Sequence, residues 1–342
     1  MDGTHPASRI HRGMGPQVVA IGGGTGLSTM LRGLKRYTEN ITAIVTVADD
    51  GGGSGVLRQD LGMPPPGDIR SCLLALANTE PVMRELLGYR FTEGILKGQS
   101  FGNLFLAALN EISPSFDVAV RRMSEVLAIT GRVLPVTNEN VEMEAEFENG
   151  AFVVGESKIF QCKKEQDCRI RQVRLLPEHP QALRESLEAI LGADLILLGP
   201  GSLYTSIIPN LLVEGIAEEI ARSDALKLYI CNVMTQEGET EGYSASDHIQ
   251  ALFRHAEQPI FDYCLMNSAP IPDEICALYA EEGAAPLFCD RAACEKLGVT
   301  VIERPVSIIR ANKVQHDPPA LAREIVSIYS EYGVMRIADN SF

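Results

Sequence analysis

The chain has 342 residues, 45% of them hydrophobic and 22% charged, with a formal net charge of −15. That balance suits a folded globular core and excludes wholesale disorder. An acidic surface repels a phosphate backbone, so no nucleic-acid polymer is expected as a partner. A small phosphorylated ligand, held by backbone N–H groups or through a divalent cation, remains compatible with it.

Residues 1–16 are polar and rich in Gly, Pro and His, lack the apolar segment of a signal peptide, and are expected to form a flexible tail. No stretch approaches the ~20 apolar residues of a membrane span, and the expected compartment is cytoplasmic. The cysteines (Cys72, Cys162, Cys168, Cys231, Cys264, Cys276, Cys289 and Cys294) form no Cys-x-x-Cys pair and are expected to be reduced apolar fillers.

Val18 to Ile21 is a short apolar run suited to a buried parallel strand. Gly22-Gly23-Gly24-Thr25-Gly26 follows, and then Leu27, Met30, Leu31 and Leu34 recur with helical spacing. Ile41 to Val47 reads as the next strand and runs into Asp49-Asp50, which completes the β-loop-α-β opening of a Rossmann-like, doubly wound sheet. Gly51 to Gly55 is expected to be a mobile loop, and residues 68–128 mostly helical. Strict alternation over Val141 to Glu148, the turn signal Asn149-Gly150 and a returning strand over Ala151 to Phe160 predict a small antiparallel excursion within about 131–176. Buried strands are then expected at Ala193 to Leu198, Leu226 to Cys231, Phe261 to Met266 and Thr300 to Ile302, with helices near 203–222, 246–256 and 320–330. The expected fold is α/β, a mostly parallel sheet over residues 17–335 in one domain.

The first glycine loop is the strongest chemical signal. Glycines let backbone approach a phosphate, and the following helix N-terminus favours an anion. Neither the Walker pattern nor G-x-G-x-x-G fits, because Gly26 is followed by Leu27-Ser28. Asp49 and Asp50 suit either ribose recognition or Mg²⁺, with Asp68 as a further metal ligand or a helix N-cap. A second strand–glycine turn–helix unit occurs at Gly199-Pro200-Gly201-Ser202, where Ser202 is placed to cap the helix. Asn232, Thr235 and Asn267 follow later strands, where open α/β sheets place ligands. No histidine metal motif and no G-x-S-x-G elbow is present.

Several strings together resemble the gluconeogenesis factor (YvcK-like) family of the CofD-like, 2-phospho-lactate transferase superfamily. They are Val19 to Ser28, Thr46 to Gly52, Pro65 to Arg70, Ser100 to Leu104, Gly199 to Ser206, Met234-Thr235-Gln236 and Gly238-Glu239-Thr240. The resemblance spans about residues 17 to 330. It implies a Rossmann-like fold, a ligand of the UDP-N-acetylglucosamine type, and a role with wall-synthesis partners in cell shape on gluconeogenic carbon sources. It implies no established catalysis, whereas the transferase relatives use a guanosine diphosphate donor with Mg²⁺. It places the transferases' metal-binding aspartates on Asp49 or Asp50, with Asp68 as a further ligand, adds Asn103 through its Ser-Phe-Gly-Asn string, and puts Tyr279 against the nucleotide sugar. Gln99, Gly53, Glu237 and Gln315 stand where the family usually has His, Ser, Pro and Arg. GDP and NAD are the alternative ligands, and a homo-oligomer is an open expectation.

Overall fold

The structure, a computed structural model, describes residues 15–166 and 168–333. Residues 1–14 of the expected tail lie outside the described residues. The strands are β1 (Val18–Gly22), β2 (Ile41–Val45), β3 (Arg132–Pro135), β4 (Glu142–Phe147), β5 (Phe152–Val154), β6 (Ile170–Leu176), β7 (Leu195–Leu198), β8 (Leu226–Ile230), β9 (Tyr263–Asn267), β10 (Thr300–Arg304), β11 (Ser307–Arg310) and β12 (Lys313–His316). The first helices are α1 (Gly24–Leu34), α2 (Gly52–Leu61), α3 (Gly67–Leu76), α4 (Pro81–Gly88), α5 (Phe101–Glu111), α6 (Phe116–Val126) and α7 (Glu156–Gln166). They are followed by α8 (Arg184–Leu191), α9 (Ile208–Leu211), α10 (Ile216–Arg222), α11 (Ala245–Ala256), α12 (Asp273–Ala280), α13 (Arg291–Lys296) and α14 (Pro318–Ile328).

Seven strands form one parallel sheet in the order β10-β9-β8-β7-β1-β2-β3. The central strands are apolar runs because helices cover both faces; every residue of β1, β2 and β7 is buried. The chain winds outward from β1 through β2 to β3, then returns beside β1 with β7 and winds the other way. The reversal of strand order therefore falls between β1 and β7, the position where doubly wound sheets open a crevice at the carboxyl ends of their strands. No helix among the described residues is long and apolar enough to cross a membrane.

Three expectations need correction. The glycine string 51–55 is not a loop, since helix α2 begins at Gly52. Its glycines provide room: a Cβ on Gly55 would lie 2.1 Å from the Asp50 carbonyl oxygen, and one on Gly53 2.7 Å from Gln99 Oε1. The antiparallel excursion is smaller than 131–176, because β3 pairs in parallel with β2 as an edge of the main sheet. The antiparallel sheet is β5-β4-β6, and the chain between β5 and β6 is helix α7 rather than a continued strand. Finally, β11 and β12 form an antiparallel hairpin that the sequence reading did not anticipate.

Helix α1 packs against α14 through Gly33, where an added Cβ would meet the Pro318 carbonyl oxygen at 2.1 Å. Backbone cannot swing aside as a side chain can. Gly33→Ala is therefore expected to lower stability by about 1–3 kcal/mol, read as a fall in Tm; an unchanged Tm would show that the two helices separate at little cost.

Candidate functional site

Both strands flanking the reversal end in a glycine turn that leads into helix. The first, Gly22 to Gly26, takes the end of β1 through Gly23 into the first turn of α1; the second, Gly199 to Ser202, follows β7, and the two touch. A Cβ on Gly26 would sit 2.5 Å from the Pro200 carbonyl oxygen, and one on Gly22 3.7 Å from Gly199 Cα. Asn210 donates its Nδ2 hydrogen to the Gly22 carbonyl at 3.2 Å, which ties the helix after the second turn back to the first. Gly24 has φ +64 and is open on its outer side, with Ser206 Oγ as the nearest atom at 3.6 Å from an added Cβ.

Carboxyl groups hold helix-start N–H groups at both turns. Asp68 is not the N-cap of α3: that position is Pro66, and Asp68 lies in the first turn, where it accepts the Gly24 N–H of α1. Burial, reinforced by the Asp49 charge, pushes its carboxyl up to about 7. Ser202 does not cap its helix; its hydroxyl donates to Gln236 Oε1 at 2.8 Å. The capping is done by Glu239, which accepts the N–H groups of Leu203 (3.0 Å), Tyr204 (3.2 Å) and Thr205 (3.1 Å). Glu239 is fully buried, and desolvation holds it at about 7 although the bonds to Thr205, Leu203 and Tyr204 pull it down.

Beside β2 lies an acid cluster. Asp49 accepts the Gly51 N–H at 2.7 Å and hydrogen-bonds to Ser54 and Glu156; burial raises its carboxyl. Glu156, at the start of α7, is pushed up to about 9 by burial and then by the charges of Asp49 and Asp68, and it shares the Thr205 hydroxyl with Glu239. Asp50 is committed to α7, accepting the Ser157 N–H at 2.9 Å and its hydroxyl at 2.7 Å. Helix α7 is further seated by an ion pair of Lys163 with Glu241 at 3.1 Å and by Phe160 over Gly238. Asn103 joins the cluster through Ser54, to which its Nδ2 donates at 3.4 Å. Among the described residues, no group of three or more His, Cys, Asp or Glu side chains is arranged to hold a metal ion.

On the other side of the turns, a cavity of about 250 Å³ opens at the ends of β7 and β8. Of the expected residues, Gly26, Gly201, Ser202, Asn232, Thr235 and Tyr279 line it together. Asn232 clamps the second turn, accepting the Gly201 N–H at 3.3 Å and donating to its carbonyl at 2.9 Å. Thr235 accepts the Ala285 N–H at 2.9 Å, and the Tyr279 hydroxyl accepts that of Val314 at 2.9 Å. Asn267 is elsewhere: its amide closes a turn onto Ala269 and accepts the Val306 N–H. Glu156 was missed altogether; it comes from a helix far along the chain, and no local signal marks it. Glu239 carried a weak signal, an acid in the polar stretch after β8.

Three desolvated histidines set a pH dependence. Burial lowers His248, His255 and His316 to about 4, from about 6.5 in an unfolded chain. Between these values the unfolded state binds the extra protons, so their contribution to stability is present above pH 6.5 and lost as pH falls towards 4. Asp68 and Glu239 act in the opposite direction, because the folded state holds their protons up to about 7. His255 accepts the Val173 N–H through Nε2 at 3.0 Å, while its Nδ1 faces the Ala251 carbonyl at 2.7 Å. In His255→Gln, urea denaturation from pH 6.5 to 4 is expected to show the acid-side loss of stability reduced by up to about 1.4 kcal/mol per pH unit. An unchanged slope would mean that His255 titrates as it does in the unfolded chain.

A doubly wound sheet with glycine turns on both strands at its point of reversal defines a Rossmann-like protein built around a crevice. The family model described as 2-phospho-L-lactate transferase CofD matches residues 18–307. A putative gluconeogenesis factor of Thermoanaerobacterium thermosulfurigenes is 56% identical over 92% of this chain and 97% of its own length. The gluconeogenesis factor of Bacillus subtilis is 48% identical over 93% of this chain and 100% of its own. An X-ray structure of a Bacillus halodurans protein matches with a TM-score of 0.87 and 46% identity, covering 91% of this chain and 99% of that one. The chain belongs to the CofD-like gluconeogenesis factor family.

Proposed function

We propose that this protein binds a nucleotide sugar of the UDP-N-acetylglucosamine type and acts as a regulatory sensor, relaying occupancy to wall-synthesis proteins during growth on gluconeogenic carbon sources. The observation that carries this reading is the contact of two glycine turns, 22–26 and 199–202, at the reversal of strand order. In this reading the diphosphate lies across the turns, close to Gly24, Gly26, Gly201 and Ser202, and one end of the ligand enters the cavity beside Asn232, Thr235 and Tyr279. The ribose approaches Asp49 and Asp50. The oxygen donors of Asp49, Asp50 and Asp68 suit a hard cation in kind, and Mg²⁺ would enter with the phosphates, since it is ordinarily held by one or two carboxylates plus ligand phosphate and water.

The acid cluster favours a second reading, a Mg²⁺-dependent transferase with a guanosine diphosphate donor, in which Asp50 and Asp68 hold the ion. Calorimetric titration of UDP-N-acetylglucosamine, UDP, GDP and NAD, with and without Mg²⁺, separates the readings. Micromolar binding of the UDP-sugar supports the sensor. Binding of GDP alone, dependent on Mg²⁺ and lost in Asp50→Ala, moves the assignment to the transferase.

A further inference from the structure

Four polar side chains of the cavity beyond the glycine turns, those of Ser202, Asn232, Thr235 and Tyr279, already hydrogen-bond within the protein. Asn232 uses both ends of its amide on Gly201, and the Ser202 hydroxyl is given to Gln236. The oxygens of Thr235 and Tyr279 accept the N–H groups of Ala285 and Val314. His316, at the end of β12, differs from these four in presenting a buried atom without a partner. It lines the same cavity and is nine-tenths buried, and its Nε2 has no hydrogen-bond partner. Its other ring nitrogen faces the Cys231 carbonyl. A carbonyl can only accept, so the ring proton belongs on that nitrogen and Nε2 is left as a lone-pair acceptor. A buried acceptor without a donor is costly, and the cost is relieved only when a partner arrives.

We propose that His316 is a specificity-determining residue, whose Nε2 accepts a hydrogen bond from an N–H or O–H of the ligand moiety that enters this cavity. The inference rests on the nucleotide-sugar reading and adds to it a chemical demand. The cavity, about 250 Å³, lies below the roughly 300–1,000 Å³ of sites that enclose a whole drug-sized ligand. It holds one ring of the ligand, and that ring must present a hydrogen-bond donor towards β12. A site built around a buried polar group discriminates strongly against an analogue that leaves the group unpaired.

The test is a cycle between protein and ligand variants, read by calorimetry. UDP-N-acetylglucosamine is compared with analogues that each lack one donor: the N3-methyl uracil form, and forms with the sugar hydroxyls or acetamido N–H replaced one at a time. Each is titrated into wild type, His316→Phe and His316→Gln, whose Tm values are measured first to confirm folding. One analogue is expected to bind wild type about ten- to a hundredfold more weakly, to lose nothing further in His316→Phe, and to identify the donor. His316→Gln, which keeps an acceptor, is expected to recover part of the affinity for the parent ligand. Wild-type binding with His316→Phe weakening every analogue equally, or none, overturns the inference and leaves the nucleotide-sugar reading intact. Absence of any wild-type binding overturns both.

Discussion

Glu239→Ala is expected to destabilise the fold by about 3 kcal/mol and to loosen the second glycine turn. Three N–H groups, those of Leu203, Tyr204 and Thr205, converge on this carboxylate inside the core, and alanine leaves all three without an acceptor. Unpaired buried donors cost about 1–3 kcal/mol each, offset in part because the burial of Glu239 is itself unfavourable, as its carboxyl near 7 shows. Glu239→Gln keeps one acceptor oxygen and is expected to lose about half as much. Urea denaturation of the two variants checks the order; equal stability of Glu239→Ala and wild type would mean that the helix start is satisfied by water.

Gly26→Ala is expected to damage the site more than any other single methyl group. The added carbon would lie 2.5 Å from the Pro200 carbonyl oxygen, 2.8 Å from its carbon and 3.0 Å from Gly201 N, all backbone of the opposing turn. The turns must separate, and overpacking of this kind costs about 1–3 kcal/mol. Because Asn232 holds Gly201 from the far side, the strain is transmitted to the cavity wall. Loss of nucleotide-sugar affinity beyond tenfold, with Tm lowered by several degrees, is the expected result. Retained affinity would show that the ligand does not depend on how the turns meet.

Much of the fold was legible because parallel strands covered on both faces read as apolar runs. Val18 to Ile21, Ala193 to Leu198 and Leu226 to Cys231 each mark a real strand to within two residues. The failures share a cause: they depend on contacts distant in sequence. The glycines at 51–55 read as freedom, but their role is close approach to Asp50 and Gln99, which only the folded chain reveals. Helix α7 has a weak apolar stripe and is held by Asp50 and Glu241, so no local pattern announces it. For the same reason Glu156 was invisible beside Asp49, while the two glycine turns, each local, were both found. Ser202 was assigned a cap that belongs to Glu239, a partner from another loop. The cavity gathers at the ends of β7 and β8 and Asp49 follows β2, on the other flank of β1, a division that no spacing in the sequence encodes.

The most direct measurement compares Gly24→Val with Gly62→Val in titrations of UDP-N-acetylglucosamine. The two glycines have nearly the same φ, +64 and +65, a region that side chains disfavour, so each valine strains the backbone where it stands. Only Gly24 stands at the crevice, facing Ser206 across the turns, whereas Gly62 ends α2 with no atom within 4 Å of an added Cβ. Loss of binding in Gly24→Val with wild-type affinity in Gly62→Val is the predicted result. Equal affinities in the two variants would place the ligand away from the glycine turns and contradict the account.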